Sequence, residues 1–176
     1  CEPLEWDDNR RYDRGKVLSA EDLDAGKEFA RYKDIDGDGV PYRTYPGTHP
    51  EKGAYFTRGT SRNPQAQYSE RGPDYVYNMQ RLLKKFDTAK GLVPQPIVSK
   101  SEVQARHGAI HFGSTSPAMQ EAIERLRDDG IALDTIRIRA FPFPDPVKAF
   151  IDGYESVFVV EQNRDGQLRS LLINEF

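Results

Sequence analysis

Apolar residues recur at steps of three and four from Pro73 onward, at Tyr75, Met79, Leu82, Leu83, Phe86 and Ala89. That spacing predicts one amphipathic helix. Arg81, Lys84, Lys85 and Lys90 lie mostly off the apolar face, and Gly91 is placed to cap the end. The expectation is a buried stripe beneath a solvated basic face. Beyond Gly108 the pattern changes. Ala109–Phe112 is a short apolar strand closed by Gly113. Ser116-Pro117 starts a helix through Ala118, Ala122, Ile123 and Leu126 that stops at Gly130. Leu133–Ala140 alternates as a second strand. Asp145-Pro146 opens another helix, ending at Gly153. Val157–Val160 is a continuous apolar run of the kind found in central parallel strands, and Leu168, Leu171 and Leu172 begin a last helix. The order β-α-β-α-β-α with short connections predicts a parallel-rich sheet with helices on both faces.

The first half reads differently. Ser19-Ala-Glu-Asp22 is a capping box that predicts a short helix from Ala20 to about Lys27. Residues 34–64 then show neither helical nor strand period and are dense in Gly, Pro, Asp, Arg, His and Tyr. Loops of this length inside compact domains are uncommon and tend to be functional. Val93 to Glu102, with prolines at 94 and 96, is an extended linker. The division is therefore residues 1–92, a linker at 93–104, and an α/β part at 105–176.

Composition narrows the classes. The 176 residues are 37% hydrophobic and 30% charged, with a net charge of −3. That balance argues against a general nucleic-acid binder. No apolar run approaches the roughly 20 residues of a membrane span. Cys1 is the only cysteine, so no disulfide framework or iron–sulfur ligand set exists in this chain. That usage fits a reducing cytoplasm. The chain starts within a charged, aperiodic stretch and stops within an apolar one, and is read as a fragment.

Three constellations carry candidate chemistry. Asp34, Asp36 and Asp38 with Gly39 match the first half of a calcium loop. The second half does not match, with Tyr45 at position 12 and Pro41 and Pro46 blocking the exiting helix. The carboxylates need a cation, arginines or solvent to offset their repulsion. Arg43, Thr48, His49, Arg58 and Thr60 share the long loop, and guanidinium suits carboxylate or phosphate. A surface or interface role for these arginines stands beside that reading. Glu161-Gln-Asn-Arg-Asp-Gly-Gln167 follows the apolar strand at the sheet's carboxyl end, where open α/β sheets bind ligands. A subunit interface is the competing reading. His107 and His111 stand on one strand face roughly 13 Å apart, too far for a shared metal.

Several stretches resemble the alpha subunit of 2-oxoacid:ferredoxin oxidoreductases, nearest the 2-oxoglutarate branch. They are RYKDIDGDGVPYRTYPGTHPEKGAYFTRGTSR, YVYNMQRLLKKFDTAKGLVPQP, IHFGSTSPAMQEAIERLRDDGI, IRIRAFPFP and VFVVEQNRDGQLRSLLINE. They run in the family's order from about Tyr12 to the end and cover only the later part of that subunit. The resemblance implies the loop-rich end of a thiamine-pyrimidine-type domain, followed by a domain like the carboxy-terminal domain of transketolase. It implies oxidative decarboxylation of a 2-oxoacid to an acyl-CoA with electrons passing to ferredoxin. Thiamine diphosphate, magnesium and an iron–sulfur cluster would sit mainly in the beta subunit, with CoA as co-substrate and no cofactor site complete in this chain. An assembly of two alpha–beta pairs is implied. Arg43 matches the arginine expected to meet the substrate carboxylate, and Thr48, His49, Thr57 and Arg58 follow as its neighbours. Arg62 stands where the family often has histidine. Glu161, Asn163, Arg164 and Gln167 are expected at packing or subunit contacts, and no residue here is expected to be catalytic. The isolated chain should not turn over. The rival is a non-catalytic calcium-binding interaction module built on Asp34, Asp36 and Asp38. Another thiamine enzyme, such as a two-component dehydrogenase, is disfavoured by the Arg- and Asp-rich loop.

Overall fold

The computed structural model describes residues 6–176, so Cys1 lies outside the described part. It divides into two compact units, one reaching Lys85 and the other Phe86–Phe176.

The first unit is built on loops. Ser19 caps helix α1 (Ala20–Asp24), and the predicted box is present in both directions: the Asp22 amide donates to Ser19 Oγ (3.2 Å) and the Ser19 amide to Asp22 (3.0 Å). The helix is one turn shorter than expected and buries Leu23. Residues 25–71 hold no helix or strand, only isolated bridges pairing Val17 with Arg43 and Arg62 with Tyr68. Helix α2 (Gly72–Leu92) follows where the period placed it, but Gly91 lies within it rather than capping it.

The burial of α2 departs from the expectation over most of the apolar stripe, although Leu82 and Ala89 are half-buried and Lys84 and Lys85 are solvated as expected. Tyr75, Met79, Leu83 and Phe86 are exposed, Leu83 at 71%, whereas Arg81 is buried. The cause is the long loop, which meets the helix through backbone. A Cβ on Gly39 would lie 2.3 Å from the Lys85 amide nitrogen and 2.7 Å from the Arg81 carbonyl. Only glycine allows that approach, and its φ of +79° lies in the left-handed region. Arg81 then donates to the Gly39 carbonyl (3.2 Å).

The second unit is a four-stranded sheet in the order β1-β3-β2-β4, with β1 Ile97–Ser99, β2 His107–Phe112, β3 Leu133–Ile138 and β4 Ser156–Val160. The last three are parallel, as expected, and β1 runs antiparallel to β3. Period two sorts the faces. Ile110, Ile136 and Ile138 pack with Val147 and Phe150 of α4 (Asp145–Asp152) and Leu172 of α5 (Gln167–Glu175). Met119 of α3 (Ser116–Asp128) is buried as well. A 3-10 turn at Gly113–Thr115 moves the N-cap of α3 from Ser116 to Thr115. Gly108 is required by packing, because a Cβ there would lie 2.7 Å from the Phe150 ring.

Candidate functional site

The loop of residues 34–64 is fastened at several points. Arg43 is gripped by backbone: its amide donates to the Lys16 carbonyl and its carbonyl accepts from the Leu18 amide, both at 2.9 Å. Its guanidinium donates to the Arg14 carbonyl (2.5 Å) and to the Tyr45 hydroxyl (3.3 Å), with its centre 5.2 Å from the Tyr45 ring centroid. A guanidinium carries five N–H donors, so donors remain for a ligand.

Thr48 and His49 close the next turn. Thr48 Oγ1 accepts from the Tyr45 amide (3.0 Å). His49 Nδ1 accepts from the amides of Glu51 and Lys52 (3.0 and 2.9 Å), which leaves Nε2 to donate to Asp24 (3.0 Å). Both ring nitrogens thus bind α1 to the loop. Thr48 and His49 line a cavity of about 200 Å³ with Tyr45, Lys52 and Tyr55. Arg43 does not line it. Thr57 is exposed, and Arg58 lines a different cavity, against α2.

The acidic turn has a partner that spacing did not reveal. Lys16 Nζ lies 2.6 Å from Asp36 and 2.7 Å from Asp38. Asp34 Oδ1 accepts from the Asp38 amide (3.0 Å). Burial pushes the Lys16 ammonium down, but the two carboxylates outweigh it and hold it above the usual lysine range. Lys16 in turn holds Asp36 and Asp38 below the usual aspartate range, against the opposing effect of burial. Among the described residues no three His, Cys, Asp or Glu side chains gather as a metal site requires. The calcium-module reading therefore finds no support.

The cavity beside α2 measures about 480 Å³. Arg58, Thr60, Ser61 and Arg62 line one side, and Asn78 and Arg81 the helix side. Arg62 and Arg81 are 9% and 8% exposed. Arg62 makes one long hydrogen bond, to the Ala66 carbonyl (3.4 Å). Among the described residues its Nε and Nη2, and Arg81 Nε, have no partner. Burial, and secondarily Arg31, hold the Arg81 guanidinium below its ordinary range. The sequence offered no sign of this site, because Arg81 reads as one more solvated base on a basic face.

The segment after β4 satisfies itself. Burial pushes Glu161 up, but the amides of Leu168 (2.9 Å) and Arg169 (3.1 Å) outweigh it and hold the carboxyl below the usual range. Asn163 accepts from the Gln167 amide (3.0 Å) and donates to Glu161. The anion at the N-terminus of α5 is thus the chain's own Glu161. Arg164 is exposed and paired with Asp165 (2.6 Å). His107 and His111 both lie on β2; burial and Arg137 hold His111 below the usual histidine range.

Similarity to known proteins is found first in the α/β part. Residues 105–175 match the family model described as pyruvate:ferredoxin oxidoreductase core domain II. Nearly the whole chain is similar to alpha subunits of 2-oxoacid:ferredoxin oxidoreductases. It is 29% identical over 168 residues to "2-oxoacid:ferredoxin oxidoreductase 2, subunit alpha" of Aeropyrum pernix, covering 88% of this chain and 26% of the relative. It is 28% identical over 174 residues to "2-oxoacid:ferredoxin oxidoreductase subunit alpha" of Saccharolobus solfataricus, covering 94% and 26%. The chain thus spans 26% of the length of these curated relatives. Its fold matches the 2-oxoglutarate:ferredoxin oxidoreductase of Magnetococcus marinus, solved with 2-oxoglutarate, coenzyme A and succinyl-CoA bound. The TM-score is 0.73, with 22% identity over 85% of this chain and 26% of that one. No helix among the described residues is long and apolar enough to cross a membrane.

Proposed function

We propose that this chain is part of the alpha subunit of a 2-oxoacid:ferredoxin oxidoreductase of the 2-oxoglutarate type. The reaction is oxidative decarboxylation of the oxoacid to an acyl-CoA, with electrons passing to ferredoxin. The names of the relatives and the match to core domain II support this reading. They also support further subunits and ferredoxin as partners; a beta subunit and an assembly of two alpha–beta pairs are part of the proposal.

The residues present do not fit a resident thiamine diphosphate, magnesium or iron–sulfur site. The sequence has one cysteine, and two of the three carboxylates of its densest acidic turn, Asp36 and Asp38, are already paired with Lys16. In the proposed assembly the carbon chemistry would come from thiamine diphosphate held by the beta subunit. The role of this chain is to orient the substrate.

The geometry of Arg43 carries the assignment. Two backbone hydrogen bonds, the Arg14 carbonyl and the Tyr45 ring fix its guanidinium before any ligand arrives. A fixed fork with free donors matches a carboxylate bidentately. Thr48, His49, Thr57 and Arg58 shape the loop that presents it, and Glu161, Asn163, Arg164 and Gln167 stand at a packing or subunit contact. The test uses the intact alpha–beta assembly. Arg43→Gln should lower kcat/KM for 2-oxoglutarate by about 10- to 100-fold, the worth of one charge-assisted contact, and Arg43→Lys should not restore it. Unchanged turnover and apparent affinity would refute the role.

A further inference from the structure

Two arginines buried with no carboxylate within salt-bridge distance among the described residues need an explanation. A buried guanidinium is ordinarily paired with a carboxylate or saturated by carbonyl oxygens. Arg62 has one carbonyl at 3.4 Å and Arg81 one at 3.2 Å. Three of their buried N–H-bearing nitrogens have no acceptor among the described residues. Both side chains line the same cavity, and Arg58, Thr60 and Ser61 add donors on its rim. No aspartate or glutamate lines it. Arg31, whose own buried Nε is unpartnered, lies 5.5 Å from the Tyr32 ring centroid; Arg81 is 5.8 Å from the same centroid.

A cavity that carries three arginines and no acid, between Tyr32, Tyr75, Met79 and Leu82, is complementary to an oxyanion on an otherwise apolar body. We infer that the space between residues 58–62 and α2 binds a small-molecule oxyanion, a phosphate or carboxylate group, held by Arg62 and Arg81 and steered by Arg58. Its volume of about 480 Å³ admits a metabolite-sized ligand rather than only an inorganic ion. A bound oxyanion supplies the negative charge that the cavity wall lacks beside Arg62 and Arg81 and offsets the cost of burying them. This site goes beyond the substrate reading at Arg43 and stands whether or not that reading holds.

The test is thermal unfolding of the full chain followed by far-UV circular dichroism, at ionic strength fixed with sodium chloride. Sodium phosphate and sodium succinate are titrated separately. At least one should raise Tm along a saturable curve, as a ligand specific to the folded state must. Response to phosphate alone assigns a phosphate ligand, to succinate alone a carboxylate, and to both the shared oxyanion. Arg62→Gln should weaken binding by about tenfold or more, and the exposed Arg58→Ala by a few-fold. Without ligand, Arg62→Gln should melt no lower than the parent, because it removes an uncompensated buried charge. A Tm that phosphate and succinate move no more than chloride does overturns the site and leaves an acidic protein segment as the occupant. Ligand-free melting of Arg62→Gln well below the parent, or unaltered affinity in both variants, overturns it too.

Discussion

Replacing Gly39 by alanine tests how the functional loop is seated, and a neighbour supplies the control. Gly37 and Gly39 have nearly the same left-handed backbone, φ +75° and +79°. An added Cβ on Gly37 meets only Lys84 Nζ, at 3.8 Å. On Gly39 it would meet α2 backbone at 2.3, 2.7 and 2.8 Å. The left-handed penalty for a non-glycine residue is about 1–2 kcal/mol. It applies to both variants. Overpacking typically adds about 1–3 kcal/mol, and here the clashing atoms are helix backbone that cannot rotate away. Gly37→Ala should therefore cost about 1–2 kcal/mol and Gly39→Ala roughly 2–5. A unit of this length is stable by only about 4–13 kcal/mol, so the second change is a large share. Urea unfolding by circular dichroism gives the two values. Hydrogen exchange should show faster opening of the α2 amides near Lys85 in Gly39→Ala alone. If the two variants agree within about 0.5 kcal/mol, the loop is not held by that close approach.

Two further perturbations probe the α/β unit. Asp134 is buried, accepting from the Ser101 amide (2.7 Å) and the Tyr154 hydroxyl (2.6 Å), with Lys100 at 3.0 Å. Burial pushes its carboxyl up, but these partners outweigh burial and hold it below the ordinary 3.8. A depressed native pKa stabilises above the unfolded value and is lost as pH falls through the folded one. Asp134→Asn should therefore cost roughly 2–4 kcal/mol at pH 7, and the gap to the parent should narrow below about pH 4. A gap independent of pH from 7 to 2 would contradict this. Glu161→Gln weakens the acceptors at the start of α5, so the Leu168 and Arg169 amides should exchange faster while β2 stays protected. Equal exchange at those two amides would remove Glu161 from the capping role.

How much of this was legible depended on how far apart the partners lie. The α/β unit announces itself, because most of its strands and helices are local periodic segments, several of them bounded by glycine or proline. The β1 strand was hidden, since three residues beside two prolines carry no period of their own and take their strand geometry from pairing with β3. Lys16 was invisible as the partner of Asp36 and Asp38 because the pairing crosses a whole loop. The self-capping by Glu161 was missed for a related reason: a carboxylate after a strand looks the same whether it meets a ligand or the next helix. The α2 stripe misled most. Apolar periodicity reports a face suited to burial, and the glycine-mediated approach of the loop buried a different one.

The arginines of the first unit show why residue type alone could not rank the sites. Arg43 is half-buried and fixed by contacts to backbone and ring, so its geometry is set in advance. In the proposed role, that combination would orient a substrate that must arrive and leave within each turnover. Arg62 and Arg81 are the opposite case. Their charges are already withdrawn from water, so an anion that reaches them gains hydrogen bonds without screening, and its departure restores the unpaired state. The first arrangement suits turnover and the second suits retention. The two proposals thus assign the same side chain different purposes according to whether the fold pairs it with backbone or leaves its donors bare.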